Sequence, residues 1–308
     1  MDILIILIVA LIIDTAFREP CNTWHPVAWL GKLISIETKL ARDKGKSMQL
    51  FLGTIIVLIT IAAITITTYF LLLYLRDLNW WIYLILAGLL LKFTFSLRGL
   101  RQAATEVKIF LLNGKMTQAR NSLQALVSRD TSRLNKKQII SATVESITEN
   151  SCDSFIAPLF YFLLFGIPGA IAYRVINTYD AMIGYHGEWE YTGKFAAKLD
   201  DIANFIPARI TALMIVLAAL LCRKNSSKAW QIMLRDHKKT ESPNAGWTMS
   251  AMAGAIGIKL EKPKHHKLGG NHYTLSPEII DASQKLIIVV ACIWSFVLIL
   301  IEVLYIVT

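Results

Sequence analysis

Two long apolar runs set the first limit on how this chain can fold. Residues 50–75 form a run of 26 without a charged side chain, and residues 286–307 form a run of 22 in which Glu302 is the only charge. As a helix, each run is long enough to cross the roughly 30 Å of hydrocarbon in a bilayer. Only 18% of the 308 residues are charged, whereas about a quarter are charged in a typical soluble domain. The sequence therefore predicts a polytopic membrane protein.

Six apolar segments are candidates for membrane helices. They cover residues 1–17, 50–75, 80–97, 155–172, 205–222 and 286–307. Pro158, Gly166 and Pro168 interrupt the fourth segment, and Pro207 interrupts the fifth. Such breaks are tolerated at membrane depth only where protein or water satisfies the freed backbone groups. These two segments are therefore candidates for re-entrant segments.

The predicted fold class is all-α: one integral membrane domain over residues 1–308 with about four to six membrane segments. Residues 98–154 are predicted to be helical, because apolar residues recur there every three or four positions. Asn113-Gly114 should break this region, and Asp130-Thr131-Ser132 should form a turn or cap. Residues 223–285 are rich in Gly, Pro, Lys and His and are predicted to form an irregular loop. No segment shows the alternation typical of a strand.

The basic residues are distributed unevenly along the chain. Loops 14–49, 98–154 and 223–285 carry 26 of the 32 Lys and Arg residues, and they share one side if all six segments cross. The positive-inside bias places that side in the cytoplasm. The net charge of +10 is compatible with anionic lipid or an acidic substrate. With this hydropathy no nucleic-acid partner is expected.

Acidic residues give the first candidate site. Glu145, Glu149 and Asp153 follow one another at intervals of four, so they line one face of the predicted helix. They form either a solvated acidic stripe or a Mg²⁺ site, because Mg²⁺ is often held by one or two carboxylates plus substrate phosphates. Asp14 lies inside the first apolar segment. A carboxylate there costs roughly 2.5–3.5 kcal/mol to insert and is a functional candidate by default.

A second polar cluster lies between residues 173 and 209, beside apolar segments that would normally exclude it. Arg174, Asn177 and Asp180 fall on one helical face, as do Asp200 and Asn204. Arginine can bind phosphate or carboxylate through two hydrogen bonds, while carboxylates and amides can orient a metal ion or an amine. The alternative interpretation is that these polar residues only contact solvent at the protein surface.

Other kinds of site find less support. The four cysteines form no CxxC or Cys/His cluster, which argues against a disulfide framework or a zinc site, and there is no Walker A or GxGxxG motif. For His25, a structural role is the alternative to a catalytic role. His265, His266 and His272 lack the spacing of a metal site. The turn-rich loop 242–247 precedes a small-residue stretch, which permits either close helix packing or approach of backbone amides to an anion.

Several multi-residue motifs, in order along the chain, resemble one family. They are residues 14–31 with His25-Pro26-Val27, Arg129-Asp130-Thr131, ESITENSCDSFIAP (145–158), YRVINTYDAMIGY (173–185), AAKLDDIANFIPAR (196–209) and SPNAGWTMSAMAG (242–254). This pattern resembles the adenosylcobinamide-phosphate synthase (cobalamin biosynthesis CbiB/CobD) family over about residues 10 to 270.

The resemblance implies an integral membrane ligase of late cobalamin biosynthesis. Such an enzyme joins the carboxylate of adenosylcobyric acid to aminopropanol or its O-phosphate and consumes ATP. ATP and the corrinoid would be substrates, and Mg²⁺ would be expected with ATP. The lipid bilayer is a further expected partner, as are other late enzymes of the pathway.

This chemistry predicts a role for each polar residue of the motifs. Asp153, Asp180, Asp200 and Asp201 are predicted to hold Mg²⁺ and triphosphate, with Asp201 also assigned to catalysis. Arg129, Arg174 and Arg209 are predicted to neutralise phosphate. Glu149 or His25 is predicted to be the base that keeps the amine neutral. The remaining substrate-binding candidates are Asp14, Arg18, Asn150, Asn177, Tyr185, Lys198, Asn204 and Asn244.

Topology leaves one conflict. Six simple spans place residues 173–204 outside, whereas ATP and the corrinoid are cytoplasmic. The family resemblance therefore implies that residues 155–172 and 205–222 are partly re-entrant, or that the polar cluster lines a cavity open to the cytoplasm. The rival functions are a corrinoid or small-anion transporter, since broken segments also mark transport pathways, and a non-catalytic membrane sensor.

Overall fold

The fold is described from a computed structural model, which covers residues 1–17, 19–21, 23–185, 187–270 and 273–307. Helices dominate it. In chain order, the elements are α1 (Asp2–Ala16), α2 (Pro26–Glu37), α3 (Lys46–Leu78), α4 (Trp80–Lys92), α5 (Leu97–Leu112), α6 (Met116–Gln124), α7 (Lys136–Ser151), α8 (Ala157–Ile183), α9 (Glu190–Ala203), α10 (Phe205–Leu221), α11 (Ser226–Asp236), α12 (Ala245–Ile256), β1 (Lys259–Lys262), β2 (His266–Gly269) and α13 (Glu278–Val307).

Within the described residues, four helical stretches are long and apolar enough to cross a membrane. They are Lys46–Leu78, Trp80–Leu112, Lys136–Ile183 and Glu278–Val307. The pair α9 and α10, bent by 47°, would make a fifth if the two form one broken span or a re-entrant loop. The predicted all-α fold with four to six membrane segments is therefore confirmed. The first predicted segment forms α1, whose 15 residues extend only about 22 Å at 1.5 Å per residue.

The predicted breaks coincide with local departures from α-helix. Gly166 interrupts α8 with φ 65° and ψ −160°, two residues before Pro168, a backbone conformation that is almost exclusive to glycine. Cys152–Ile156, between α7 and α8, forms a π-helical turn, and such turns are frequent at functional sites. Gly114, at φ 69°, follows the end of α5. The Asp130 carboxylate accepts a hydrogen bond from the Ser132 amide at 2.8 Å, which confirms the predicted turn.

The described residues divide into two compact units. The first comprises Met1–Ser96, Ala157–Ala203 and Ile299–Thr308, and the second comprises Leu97–Ile156 and Asn204–Leu298. The core of the first unit includes Ile34 of α2, Val57 of α3, Tyr179 of α8 and Ala196 of α9. Each of these side chains is removed from solvent, so helices from distant parts of the sequence share one apolar centre.

Two glycines allow close backbone contacts in the first unit. A Cβ on Gly53 of α3 would lie 2.1 Å from the carbonyl oxygen of Thr192. A Cβ on Gly193 of α9 would lie 1.7 Å from the carbonyl oxygen of Ile183, at the end of α8. Small residues permit such approaches between helices. The position of α9 is therefore fixed against both α3 and α8.

The second unit is built around α7 and a short β-hairpin. Asn135 and Gln138 form a reciprocal capping box at the start of α7, which satisfies two backbone donors there. Strands β1 and β2 pair antiparallel, with Leu260 opposite Leu268. The region 223–285 is thus more regular than the sequence predicted, since it contains α11, α12 and this hairpin. Strands of four residues are too short to give a clear alternating pattern.

Asp236 joins the end of α11 to the hairpin. Its carboxylate is fully buried and accepts hydrogen bonds from the Gly269 amide at 2.8 Å and from Arg235 at 2.7 Å. The ammonium group of Lys239 lies 2.6 Å from the same carboxylate. Burial alone would raise the pKa of Asp236, but these donors lower it from 3.8 to about 2.

We expect Asp236→Asn to destabilise the protein by about 2 kcal/mol at neutral pH, because each unit of pKa shift corresponds to about 1.4 kcal/mol. The folded-state pKa is the lower one. The stabilisation is therefore present above pH 3.8 and is lost as the pH falls towards 2. Thermal unfolding in detergent as a function of pH measures this effect. Asp281→Asn, at a half-exposed carboxylate, is the control, and an equal loss in both variants would contradict the prediction.

Candidate active site

Arg174, Asn177 and Asp200 form a hydrogen-bonded row in the first unit. Arg174 Nη1 donates to Asn177 Oδ1 at 3.4 Å, and Asn177 Nδ2 donates to Asp200 Oδ1 at 3.3 Å. The first two residues are three positions apart on α8 and share a face, while Asp200 comes from α9 and is buried. The structure thus brings a cation, an amide and a carboxylate together across two helices.

The other predicted residues of this unit differ in exposure. Asp180 lies on α8, and its carboxylate abuts Gly184, where an added Cβ would be 2.0 Å from Asp180 Oδ1. Asp201 on α9 is partly buried, whereas Lys198 and Tyr185 are exposed. The Lys198 and Tyr185 side chains are therefore not packed within the first unit.

A buried cluster of charges surrounds Lys92 of α4. The Lys92 ammonium lies 3.6 Å from Asp14 Oδ1 and forms an ion pair with Glu19. Lys92 and Asp14 side chains are each 4% exposed. Lys92 is a charged residue within the apolar segment 80–97, where a charge marks a functional or paired group, but no spacing in the sequence indicates its partners. Asp14 thus stabilises a buried ion pair, while Arg18, predicted beside it, lies outside the described residues.

Glu19, between α1 and α2, stays ionised because of its neighbours. Burial by itself would raise its pKa, but hydrogen bonds from His25, Lys92 and Ser96 lower it from 4.5 to about 2. His25 Nε2 lies 3.2 Å from Glu19 Oε2, and His25 Nδ1 accepts from the Val27 amide at 3.2 Å. Both ring nitrogens of His25 are therefore engaged, Nε2 with Glu19 and Nδ1 with the start of α2.

A cavity of about 250 Å³ opens beside α7 in the second unit. Glu145 lies in its wall, where its carboxylate accepts a hydrogen bond from Ser141 at 2.8 Å and lies 3.4 Å from Arg129 Nη2. His266 of β2 approaches the same carboxylate at 3.8 Å. The predicted residues that line this cavity are Arg129, Glu149 and Asn150. It therefore combines carboxylates with basic groups.

Arg209, Asn204 and Asn244 lie where α10 and α12 begin. Arg209 Nη1 donates to Asn244 Oδ1 at 3.0 Å, and its guanidinium lies over the rings of Phe205 and Trp247, 3.5 and 5.0 Å from their centroids. Stacking of this kind suits the planar guanidinium. Asn204 is buried and precedes α10 directly. Pairing of Arg209 with Asn244 links two motifs that are 35 residues apart.

The predicted metal ligands are divided between the units. Asp180, Asp200 and Asp201 belong to the first unit, and Asp153 lies on the π-helical turn of the second. Within the part of the chain that the structure describes, no three His, Cys, Asp or Glu side chains converge to hold a metal ion. The buried carboxylate of Asp200 nonetheless suits Mg²⁺ bound together with a nucleotide, because one or two carboxylates plus phosphate oxygens are then enough.

Comparisons with known proteins place these motifs in a family. The family model described as CobD/Cbib protein matches residues 7–290. "Cobalamin biosynthesis protein CobD" of Dehalococcoides mccartyi strain CBDB1 is 47% identical over 297 residues, which cover 96% of each chain. "Probable cobalamin biosynthesis protein CobD" of Methanothermobacter thermautotrophicus is 44% identical over 266 residues, which cover 86% of each chain. No solved structure matches the chain.

The family match covers both units described above. It includes the row of Arg174, Asn177 and Asp200, the cavity beside α7 and the Arg209–Asn244 pair. Long apolar helices accompany these polar groups. The chain therefore belongs to the CobD/CbiB family of cobalamin biosynthesis proteins and is a multi-pass membrane member of it.

Proposed function

We propose that this protein is an ATP-dependent ligase that joins adenosylcobyric acid to (R)-1-aminopropan-2-ol or its O-phosphate. The product would be adenosylcobinamide or its phosphate. The family assignment supports a role in cobalamin biosynthesis. The observation that carries the ligase chemistry is the row of Arg174, Asn177 and Asp200, since it presents a cation and a carboxylate to one region.

The first step activates a poor electrophile. A carboxylate oxygen of the corrinoid attacks the γ-phosphorus of ATP, the bond to the β-phosphate oxygen breaks, and an acyl phosphate and ADP form. Arg174 supplies positive charge for the phosphoryl oxygens, and a guanidinium can do so through two hydrogen bonds. Mg²⁺ bound with ATP would neutralise phosphate charge, and Asp200 and Asp201 would hold it. Asn177 forms hydrogen bonds with both Arg174 and Asp200 and so holds the two side chains in position.

The second step forms the amide. The amine nitrogen attacks the acyl carbon, the phosphate leaves, and the amine loses one proton. Glu149 is the better candidate for the base that accepts this proton, because it lines the open cavity beside α7. His25 is the weaker candidate, since one ring nitrogen caps α2 and the other contacts Glu19.

A turnover assay tests the proposal directly. Purified protein in detergent is incubated with adenosylcobyric acid, ATP, Mg²⁺ and either aminopropanol or its O-phosphate. We expect corrinoid amide, ADP and phosphate in equal amounts, and no product when any one substrate is omitted. Mass spectrometry of the corrinoid and a coupled ADP assay measure the two sides of the reaction. Corrinoid binding without ADP formation would instead support the transporter or sensor alternatives.

The site is proposed to open to the cytoplasm, where ATP is available. The excess of Lys and Arg in loops 14–49, 98–154 and 223–285 supports this orientation. Labelling of single cysteines placed at residues 198 and 241, from either side of the membrane, tests it. Labelling from the outer side alone would contradict a cytoplasmic site.

A further inference from the structure

Two buried nitrogen donors without an acceptor belong to residues that line the cavity beside α7. Among the described residues, neither Nη1 of Arg129 nor Nε2 of His266 has a hydrogen-bond partner. Both residues line the cavity, and the His266 side chain is only 8% exposed. Leaving a buried donor unpaired costs free energy, so such groups often mark the place of a ligand or ordered water.

Glu145 does not satisfy these donors. Its Oε2 atom lies 3.8 Å from His266 Nε2, which is too far for a hydrogen bond. The same oxygen lies 3.4 Å from Arg129, but it contacts Nη2 and leaves Nη1 without a partner. Glu145 therefore balances the charge of Arg129 but accepts a hydrogen bond from neither of these two donor atoms.

The cavity wall is held by regular structure. The backbone amide of Glu261 on β1 donates to Ser141 Oγ of α7 at 2.8 Å, which attaches the hairpin to the helix. His266 stands opposite Lys262 in the hairpin register, and Lys262 also lines the cavity. The His266 donor is thus presented by a paired strand and is in place before a ligand arrives.

A phosphate group fits this arrangement. It carries negative charge and several acceptor oxygens, so one phosphate can accept from both Arg129 and His266, and charge-assisted bonds of this kind are the strong ones. A cavity of about 250 Å³ accommodates a small phosphate ester, whereas the corrin ring is much larger. Glu149 lines the same cavity, which places a carboxylate within reach of an ammonium group on the same small ligand.

We propose that the cavity beside α7 is a phosphate-binding subsite in which His266 Nε2 and Arg129 Nη1 donate to phosphate oxygens. Which ligand carries this phosphate is inferred from the proposed function. It is either the O-phosphate of the amino alcohol or a phosphate of ATP, and the two share the same recognition chemistry.

Equilibrium binding to the full chain in detergent tests the subsite without turnover. Isothermal titration calorimetry is performed with inorganic phosphate, aminopropanol O-phosphate and ATP. We expect His266→Ala to weaken binding of the phosphate ligand by about tenfold or more, as loss of a hydrogen bond to a charged group does. His266→Gln, which keeps a nitrogen donor near Nε2, should retain binding within a few fold.

Lys267→Ala is the matched control. Lys267 follows His266 on β2, but its side chain is 65% exposed and contacts Glu261. The Lys267→Ala substitution removes a positive charge from the same strand but outside the cavity, so binding of the phosphate ligands should be unchanged. Thermal unfolding of each variant separates loss of binding from loss of fold, and a retained affinity in His266→Gln does so independently.

The three ligands distinguish the sources. If aminopropanol O-phosphate loses affinity in His266→Ala while ATP does not, the subsite takes the amino-alcohol phosphate, and the reverse result assigns it to ATP. Equal affinity of wild type and His266→Ala for all three ligands would overturn the subsite. Phosphate binding that depends on His266 in a protein that forms no product would retain the subsite and refute the ligase.

Discussion

Replacing Lys92 with alanine should lower the free energy of unfolding by roughly 3–5 kcal/mol, the usual cost of removing one partner from a buried ion pair. Lys92 is 4% exposed and is paired with both Asp14 and Glu19. Without the ammonium group, the buried carboxylate of Asp14 loses a cation where water cannot replace it. The midpoint of SDS-induced unfolding, followed by circular dichroism, measures the loss.

Lys108→Ala provides the matched comparison for Lys92→Ala. Lys108 pairs with Asp281 at 2.6 Å, but that carboxylate is 52% exposed, and such pairs contribute at most about 1 kcal/mol. Lys92→Met combined with Asp14→Asn should recover part of the stability, because it also removes the charge of the buried Asp14 carboxylate. The Glu19 carboxylate that remains is 25% exposed and still contacts His25. If Lys92→Ala costs no more than Lys108→Ala, the buried cluster does not stabilise the fold as inferred.

Replacing Asp200 with asparagine should reduce kcat/KM of the proposed ligase by about 100-fold or more, the scale of losing one electrostatic group at a transition state. Asp200 is buried and accepts the hydrogen bond from Asn177. Asparagine keeps the shape and one acceptor but removes the charge that would hold a metal–nucleotide complex. Steady-state kinetics with ATP as the varied substrate measure the change.

Asp43→Asn is the control for Asp200→Asn, because Asp43 is an exposed carboxylate in the same unit. Both variants should unfold within a few degrees of the wild type. An active Asp200→Asn would remove Asp200 from the site. A variant that loses activity together with its fold would indicate a structural role, so Asn177→Asp, which keeps an acceptor but not the donor, is measured beside it.

Local signals in the sequence predicted much of this fold. Long uncharged runs such as residues 50–75 define membrane helices by length alone, and the pairing of Arg174 with Asn177 follows from a spacing of three on a helix. Gly166 and Pro168 likewise predicted a break, because their backbone requirements are local.

Contacts between distant residues could not be predicted in the same way. Asp200 meets Asn177 from another helix, Lys92 meets Asp14 across 78 positions, and His266 reaches Glu145 from a hairpin whose strands have four residues each. Each contact depends on how helices pack, and a single sequence contains no spacing that reports it. The chemistry of the residues indicated candidates, but their partners came from the fold.

The close approach of Gly193 to Ile183 has a consequence for Asp200. Gly193 and Asp200 both belong to α9 and are seven positions apart, so they lie on about the same face of the helix and about 10 Å apart along its axis. A methyl group at position 193 would push against a carbonyl that α8 holds in place, and α9 would have to tilt. A tilt of α9 would also displace Asp200, so the Asp200 carboxylate would change its alignment with Asn177. Fine positioning of the acid thus depends on the absence of one carbon atom two helical turns away.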